Sequence, residues 1–252
     1  MARGLALDHA AWTSPWRTRS VRDKGLLSLG LMGAAITLPP VPGGVGVAAV
    51  AMVLLLGPIG VGWARLGRLS WLPGVSILMG AAAVAVSIRW ENGVQFLVTA
   101  DGLTTAGGLA IRASATTLAM FTLACSTPMV DLFAALRRAR VPEALIEIAS
   151  LIYRFTTGLL VTAGAIHEAQ AVRLGFATRS ATMRSASLGT SALLVRSWDQ
   201  ARRLEAGLIG RGYEDTLRTV EPTRRRSTRF LLASLVTVAA LVAGSAAWPV
   251  SR

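Results

Sequence analysis

Two arginines in the second half of the chain stand in similar local sequences, each followed by a glycine and then an aromatic residue. The two runs are Ala171-Val172-Arg173-Leu174-Gly175-Phe176 and Ile209-Gly210-Arg211-Gly212-Tyr213. Arginine complements the negative C-terminal end of a helix, and glycine takes the left-handed position that ends it. Each run alone therefore predicts no more than a well-formed helix end. Two such runs also fit a repeated docking device, because a planar guanidinium binds carboxylates or carbonyl groups in a preformed groove.

Other side chains capable of chemistry are few and scattered. Cys125 is the single cysteine and the two histidines are His9 and His167, so neither a disulfide framework nor a Cys/His metal site is predicted. Lys24, the only lysine, follows Asp23 instead of the glycine that a phosphate-binding P-loop requires. The motifs G-x-S-x-G and H-E-x-x-H do not occur. We expect no enzymatic site, no ATPase site and no cofactor in this chain.

The composition predicts an integral membrane protein. Of 252 residues, 53% are hydrophobic and only 15% are charged, whereas a soluble domain carries roughly 25% charged residues. The mean hydropathy is +0.54. The net charge is +13, which predicts contact with lipid headgroups, nucleic acid or an acidic protein. Nucleic acid is disfavoured because most of the chain is too apolar to be solvated around it.

Five apolar stretches predict five transmembrane helices. They cover about residues 25–38, 43–63, 71–88, 103–125 and 230–248. Basic residues concentrate in the leader 1–24, after the second stretch and before the last. The positive-inside rule therefore places the N-terminus in the cytoplasm.

The apolar stretch 141–165 is predicted not to cross the membrane. It carries Glu143, Glu147 and Arg154, and a charge at a helix centre costs about 2.5–3.5 kcal/mol on insertion scales. If the stretch crossed, residues 169–227, with eleven arginines and five acidic residues, would lie outside the cell. This placement contradicts the positive-inside rule.

Four regions follow from this topology: a cytoplasmic basic leader 1–24, a four-span region 25–125, a cytoplasmic region 126–227, and a final span with the C-terminus, 228–252. The cytoplasmic region is predicted to hold three interfacial helices over about 129–140, 142–174 and 190–211. The third carries one apolar stripe at helical spacing. Its members are Leu194, Trp198, Ala201, Leu204 and Leu208.

An ordered set of motifs resembles the transmembrane T component of energy-coupling factor (ECF) transporters, the CbiQ/EcfT family. The resemblance covers almost the whole chain and is strongest over 127–220. The motifs are Leu7-Asp8 with Ser14-Pro15-Trp16-Arg17 and Lys24, Thr127-Pro128-Met129-Val130-Asp131-Leu132, Ala135-Leu136-Arg137-Arg138-Ala139-Arg140-Val141-Pro142, Tyr153-Arg154-Phe155, Glu168-Ala169-Gln170-Ala171-Val172-Arg173-Leu174-Gly175-Phe176 and Arg211-Gly212-Tyr213-Glu214.

The resemblance implies an importer subunit in a prokaryotic cell (inner) membrane. In that family, two cytoplasmic coupling helices end in an Ala-Arg-Gly-like signature whose arginines dock into two ABC-type ATPase subunits. The apolar helix faces hold a small substrate-binding membrane subunit, the S component. By resemblance, Arg173 and Arg211 take the docking role, while Gly175 and Gly212 shape the helix ends. The N-terminal pattern is similar to the cobalt-type branch, which implies cobalt or nickel as cargo, with vitamins as the alternative.

This chain departs from the family signature at both helix ends. Val172 and Gly210 stand where alanine is usual, and Leu174 separates Arg173 from its glycine. The arginines are retained, so the departures leave open which ATPase subunit each arginine contacts.

Two other functions remain open from the sequence. An ordinary ABC permease would bind substrate itself, although such permeases usually carry one cytoplasmic coupling loop. A basic membrane scaffold would bind anionic lipid through diffuse charge.

Arg112 lies inside the fourth predicted span, where a charge either serves function or forms a structural ion pair or interhelical hydrogen bond. Glu143 and Glu147 are candidate partners of Arg112.

Overall fold

The computed structural model describes residues 8, 10–89, 95–212 and 227–246. These residues form two compact units: the first contains the described residues from 132 to 212, and the second those from 8 to 131 and from 227 to 246. The described helices are α1 (Val21–Thr37), α2 (Val45–Leu56), α3 (Trp63–Ala85), α4 (Ala100–Ala124), α5 (Met129–Arg138), α6 (Glu143–Val172), α7 (Arg179–Ile209) and α8 (Thr228–Ala246), and the strands are β1 (Val86–Arg89) and β2 (Gln95–Val98).

The second unit is organised around α4. Helices α1, α2 and α3 each pack against α4, and α8 packs against α1. The core side chains Leu31, Val47, Leu55 and Ala119 have no exposed surface. Ser28 of α1 donates a hydrogen bond to the Ala119 carbonyl of α4 (2.6 Å). Small residues at such contacts let helix backbones approach closely in an apolar setting.

Glycine and proline set the ends of the second and third helices. Helix α2 ends at Leu56, before Gly57 and Pro58, instead of continuing to the predicted residue 63. Helix α3 begins at Trp63 and not at the predicted residue 71. The predicted boundary was misplaced because the first two turns of α3 carry Arg65 and Arg68, which an apolar window excludes although a helix accommodates them.

Three described helices are long and apolar enough to cross a membrane, namely α3, α6 and the 228–245 portion of α8. A fourth is counted if α4 and α5, which a short break separates, form one broken span. Helices α1, with 17 residues, and α2 are shorter. Large apolar side chains of the second unit, including Val53, Trp71, Leu78 and Leu235, are exposed over more than half of their surface. The chain is an all-α membrane protein, as the composition predicts.

A short β-hairpin follows α3, at a place where the sequence predicts no strand. Strands β1 and β2 pair antiparallel, with Val86 opposite Val98 and Arg89 opposite Gln95. The predicted third span, 71–88, therefore extends too far, because the helix ends at Ala85. The apolar side chains of Val86 and Ile88 suit a strand as well as a helix, and hydropathy does not distinguish the two.

The first unit contains α6 and α7, two helices of 30 and 31 residues. Helix α6 agrees with the predicted 142–174 to within two residues at each end. The preceding helix, α5, ends at Arg138 instead of 140, and Arg140 adopts a left-handed conformation (φ +63°) two residues before Pro142. At 1.5 Å per residue, α6 and α7 are each about 45 Å long.

Helix α7 begins at Arg179, so its predicted start at residue 190 is wrong. The Thr178 hydroxyl caps the helix by accepting a hydrogen bond from the Ala181 amide (3.2 Å). The first three turns consist largely of serine, threonine, alanine and arginine. They lack an apolar stripe, and for this reason the periodicity revealed only the second half of the helix.

Candidate functional site

The first arginine terminates α6 in a Schellman motif. Arg173 is the C-cap residue, and Leu174 follows in a left-handed conformation with φ +56°. The Gly175 amide donates to the Gln170 carbonyl (2.9 Å), and the Leu174 amide donates to the Ala171 carbonyl (3.1 Å). This pair of bonds defines the motif. The prediction that Gly175 takes the left-handed position is wrong, because Leu174 occupies it.

Gly175 is required for close packing at the turn. A Cβ atom there would lie 2.5 Å from the Ser185 hydroxyl and 2.9 Å from the Gln170 carbonyl oxygen. Ser185 donates its hydroxyl to the Gly175 carbonyl (2.8 Å), and the Gln170 amide side chain donates to the Ser185 carbonyl (3.0 Å). These contacts hold the start of α7 against the end of α6. Sequence reasoning missed Gln170 and Ser185, because their pairing depends on where α7 begins.

Leu174 is both strained and exposed. A left-handed conformation costs a residue with a Cβ atom roughly 1–2 kcal/mol, and 75% of the Leu174 surface is accessible. Val172, on the other side of Arg173, is 86% accessible. Within the first unit these two side chains gain little from burial. Strain of this kind is typical of a functional site.

The second arginine follows the end of α7. The helix ends at Ile209 with Gly210 as its C-cap, and the amides of Arg211 and Gly212 donate to the carbonyls of Leu208 (3.0 Å) and Ile209 (3.1 Å). Gly212 has φ +69°, so here a glycine does take the left-handed position, as predicted. Tyr213, the aromatic residue of this run, lies outside the described residues.

We call residues 172–175 the first tip and residues 209–212 the second tip. Arg173 and Arg211 are both exposed, and neither forms an ion pair with a carboxylate of the described chain. Each arginine has an exposed aliphatic neighbour, Val172 in the first tip and Ile209 in the second. Within the described residues, each tip therefore presents a guanidinium that lacks a carboxylate partner and lies beside apolar surface.

The two tips are well separated along α7. The first tip contacts α7 at Ser185, and the second begins at Ile209. The intervening helix corresponds to about 36 Å at 1.5 Å per residue. This distance is comparable to the diameter of a small domain, so the tips suit two different partner surfaces.

The predicted apolar stripe on α7 is largely accessible. Leu194 and Trp198 are 67% and 63% exposed, and Arg202 lies over the Trp198 ring at 6.0 Å. Leu204 and Leu208 are half-buried. An exposed apolar face of this extent on a membrane-protein helix faces either lipid or another polypeptide.

Arg112 forms an interhelical hydrogen bond. Its Nη2 donates to the carbonyl of Leu38 (3.3 Å), the residue that ends α1. Because helix C-terminal carbonyls carry partial negative charge, the guanidinium stabilises this end of α1. Glu143, which the sequence offered as a candidate partner of Arg112, instead forms an ion pair with Arg137 (3.7 Å). The contact supports the structural interpretation of Arg112.

His167 has an aromatic neighbour. Its ring lies 4.5 Å from that of Phe176, the aromatic residue after the first tip. Across the described residues, no group of three or more histidine, cysteine, aspartate and glutamate side chains is arranged to hold a metal ion.

Comparison with known proteins gives consistent matches. The sequence model of the family CbiQ, described as "Cobalt transport protein", matches residues 13–221. The chain is 37% identical to the cobalt transport protein CbiQ of Rhodobacter capsulatus over 94% of this chain and 96% of the relative. It is 28% identical to the CbiQ of Salmonella typhimurium over 75% of this chain and 88% of the relative. It is also 29% identical to a putative fused cobalt transport protein CbiMQ of Methanocorpusculum labreanum, and this match covers 82% of this chain and 36% of the relative.

Proposed function

Since this chain belongs to the CbiQ family of cobalt transport proteins, we propose that it is the transmembrane coupling (T) subunit of an ECF-type ABC importer. In this role it links ATP hydrolysis by two ABC-type ATPase subunits to a small substrate-binding membrane subunit. The chain supplies no ATPase site of its own; it converts closure of the ATPases into movement of the S component. Cobalt or nickel is the proposed cargo, in keeping with the names of its relatives.

The observation that carries this proposal is the pair of tips. Arg173 and Arg211 each end a helix of about 45 Å, and each guanidinium is exposed without a carboxylate partner in the described chain. The capping hydrogen bonds fix the backbone at both positions. A guanidinium carried on a fixed backbone suits insertion into a shaped acidic or carbonyl-lined groove, since its planar fork is itself preorganised.

The exposed apolar side chains of α6 and α7 are the proposed surface for the S component. On α6 these include Ile148, Ile152 and Val161, and on α7 Leu194 and Trp198. A rigid helix carrying a docking arginine at its end and apolar side chains along its length acts as a lever. Movement of the tip with an ATPase then tilts the partner that rests on the apolar face.

The proposed topology keeps residues 126–227 on the cytoplasmic side of a cell (inner) membrane, with the N-terminus also inside. Helix α6 is long and apolar enough to span a bilayer. Crossing would, however, place both tips outside the cell, together with the six net positive charges of residues 169–227. An ATPase docking role requires both tips on the side where ATP is available.

Purification of the tagged protein in mild detergent tests the proposed function. The expected result is co-purification of two ABC-type ATPase chains and one small hydrophobic protein. An ordinary ABC permease would instead bind cargo without a membrane partner, and a basic scaffold would retain only anionic lipid. Recovery of the chain without ATPase subunits, under conditions that preserve other membrane complexes, would contradict the proposal.

A further inference from the structure

Two adjacent charged residues lie buried at the start of α1. Asp23 is 1% exposed and Lys24 is 2% exposed, in a chain whose other 25 basic residues are all arginine. Burial of charge is costly unless hydrogen bonds compensate it. The partners of these two residues therefore indicate what the burial achieves.

Lys24 binds the break between α4 and α5. Its Nζ donates to the Ser126 carbonyl (2.7 Å), which lies just beyond the C-terminal end of α4, where helix carbonyls concentrate negative charge. Ser126 has no exposed surface, and its hydroxyl donates to the Thr122 carbonyl (2.6 Å). The start of α5 is held in addition by Asp8, which accepts a hydrogen bond from the Met129 amide (3.3 Å).

Asp23 binds the residue that begins the last helix. Its Oδ2 accepts a hydrogen bond from the Ser227 amide (3.4 Å). Ser227 directly precedes α8, and its hydroxyl accepts a hydrogen bond from the Phe230 amide (3.4 Å). The carboxylate of Asp23 thus fixes the entry to α8.

The described residues of the first unit, 132–212, lie in the chain between Ser126 and Ser227. We propose that Asp23 and Lys24 form a two-point clasp that holds both ends of the coupling region on a single turn of α1. Movement of the coupling helices is transmitted to the membrane-spanning part through this clasp. The inference rests on the proposed function for the movement itself, whereas the clasp rests on contacts within the second unit.

The clasp is connected onward into the helix core. Ser28, one turn beyond Lys24 on α1, donates to the Ala119 carbonyl of α4. Asp23 and Lys24 are therefore positioning residues, which set where the lever is anchored. A lysine suits this position, since a compact ammonium directs its hydrogen bonds at single carbonyls without the space that a guanidinium fork requires.

The test measures the number of cobalt ions taken up per ATP hydrolysed by the complete transporter in proteoliposomes. Lys24→Met keeps an unbranched side chain, one heavy atom shorter, but removes the charge and the donor, and Asp23→Ala removes the acceptor. Each is expected to lower uptake per ATP at least tenfold while the ATPase subunits still co-purify and hydrolyse ATP at the wild-type rate. Asp23→Asn, which retains an acceptor oxygen, should keep most of the coupling. Arg68→Met, at an exposed arginine of α3 in the same unit, is the control and should behave as wild type.

Amide hydrogen exchange on the full chain in detergent provides a second readout. Asp23→Ala should accelerate exchange at the Ser227 amide at least tenfold, and Arg68→Met should not. Wild-type uptake per ATP in Lys24→Met, loss of the ATPase subunits from that variant, or unchanged exchange at Ser227 in Asp23→Ala would each overturn the clasp. If the wild-type chain binds no ATPase subunits, the proposed function fails, and the exchange measurement still decides whether Asp23 holds Ser227.

Discussion

Replacing Arg173 and Arg211 together by glutamate is expected to abolish ATP-dependent cobalt uptake while leaving membrane insertion intact. Both guanidiniums are exposed at helix ends, so their loss leaves no buried partner unsatisfied. A groove shaped for a guanidinium repels a carboxylate, and truncating a buried interfacial charge pair costs about 2–5 kcal/mol. Two tips lost together should reduce ATPase association more than a hundredfold. Uptake in whole cells and co-purification of the ATPase subunits measure the effect.

The matched control for this variant is Arg184→Glu combined with Arg196→Glu. These arginines are also exposed and lie on α7 between the tips, so the change in net charge is the same. We expect uptake close to wild type. If both double variants lose uptake equally, diffuse charge and not a shaped contact explains the result.

The substitution Arg211→Lys distinguishes docking to an ATPase subunit from the basic-scaffold alternative. Lysine keeps the charge but lacks the planar fork, so a shaped groove should bind it poorly whereas a lipid surface should accept it. Retention of full uptake in this variant would favour the scaffold.

Gly175→Ala is expected to destabilise the first tip by about 1–3 kcal/mol, the range for overpacking a close contact. The added Cβ would lie 2.9 Å from the Gln170 backbone carbonyl and 2.5 Å from the Ser185 hydroxyl. The serine can rotate away, but the carbonyl belongs to the helix end that sets the position of Arg173. Thermal unfolding in detergent should show a lower Tm, and uptake should fall because the arginine is displaced.

Gly158→Ala is the control for this substitution. Gly158 lies in the middle of α6, where an added Cβ would meet no neighbouring atom within 4 Å, and alanine there should stabilise the helix by up to about 1 kcal/mol. An unchanged Tm for Gly175→Ala would show that the turn has room and that Gly175 is not needed for its packing.

The sequence predicted the membrane class and the second tip because both depend on local chemistry. Composition determines the preference for a bilayer, and Gly212 is the residue best suited to a left-handed helix end. In the first tip, the left-handed position was predicted one residue too late, at Gly175 instead of Leu174. The left-handed position falls on Leu174, and Gly175 instead lies in close contact with Ser185. That contact depends on a helix start which no apolar pattern marks.

The buried clasp could not be predicted from the sequence, for a different reason. Lys24 and Ser126 are 102 residues apart, and Asp23 and Ser227 are 204 residues apart. No periodicity or spacing rule connects positions so distant, and from the sequence Lys24 served to exclude a P-loop and to support the family resemblance, with no partner indicated. The hydrogen bond from Arg112 to the Leu38 carbonyl is of the same kind, since a backbone acceptor has no signature in the sequence.

The proposed function requires both tips to face the cytoplasm, and the accessibility of introduced cysteines tests this requirement. Cys125, the only cysteine, is fully buried, and replacing it by alanine gives a background for single cysteines at positions 173 and 211. A membrane-impermeant maleimide should label Arg173→Cys and Arg211→Cys in inside-out vesicles and neither in intact cells. Labelling of either position in intact cells, or of one position from each side of the membrane, would contradict the proposed function.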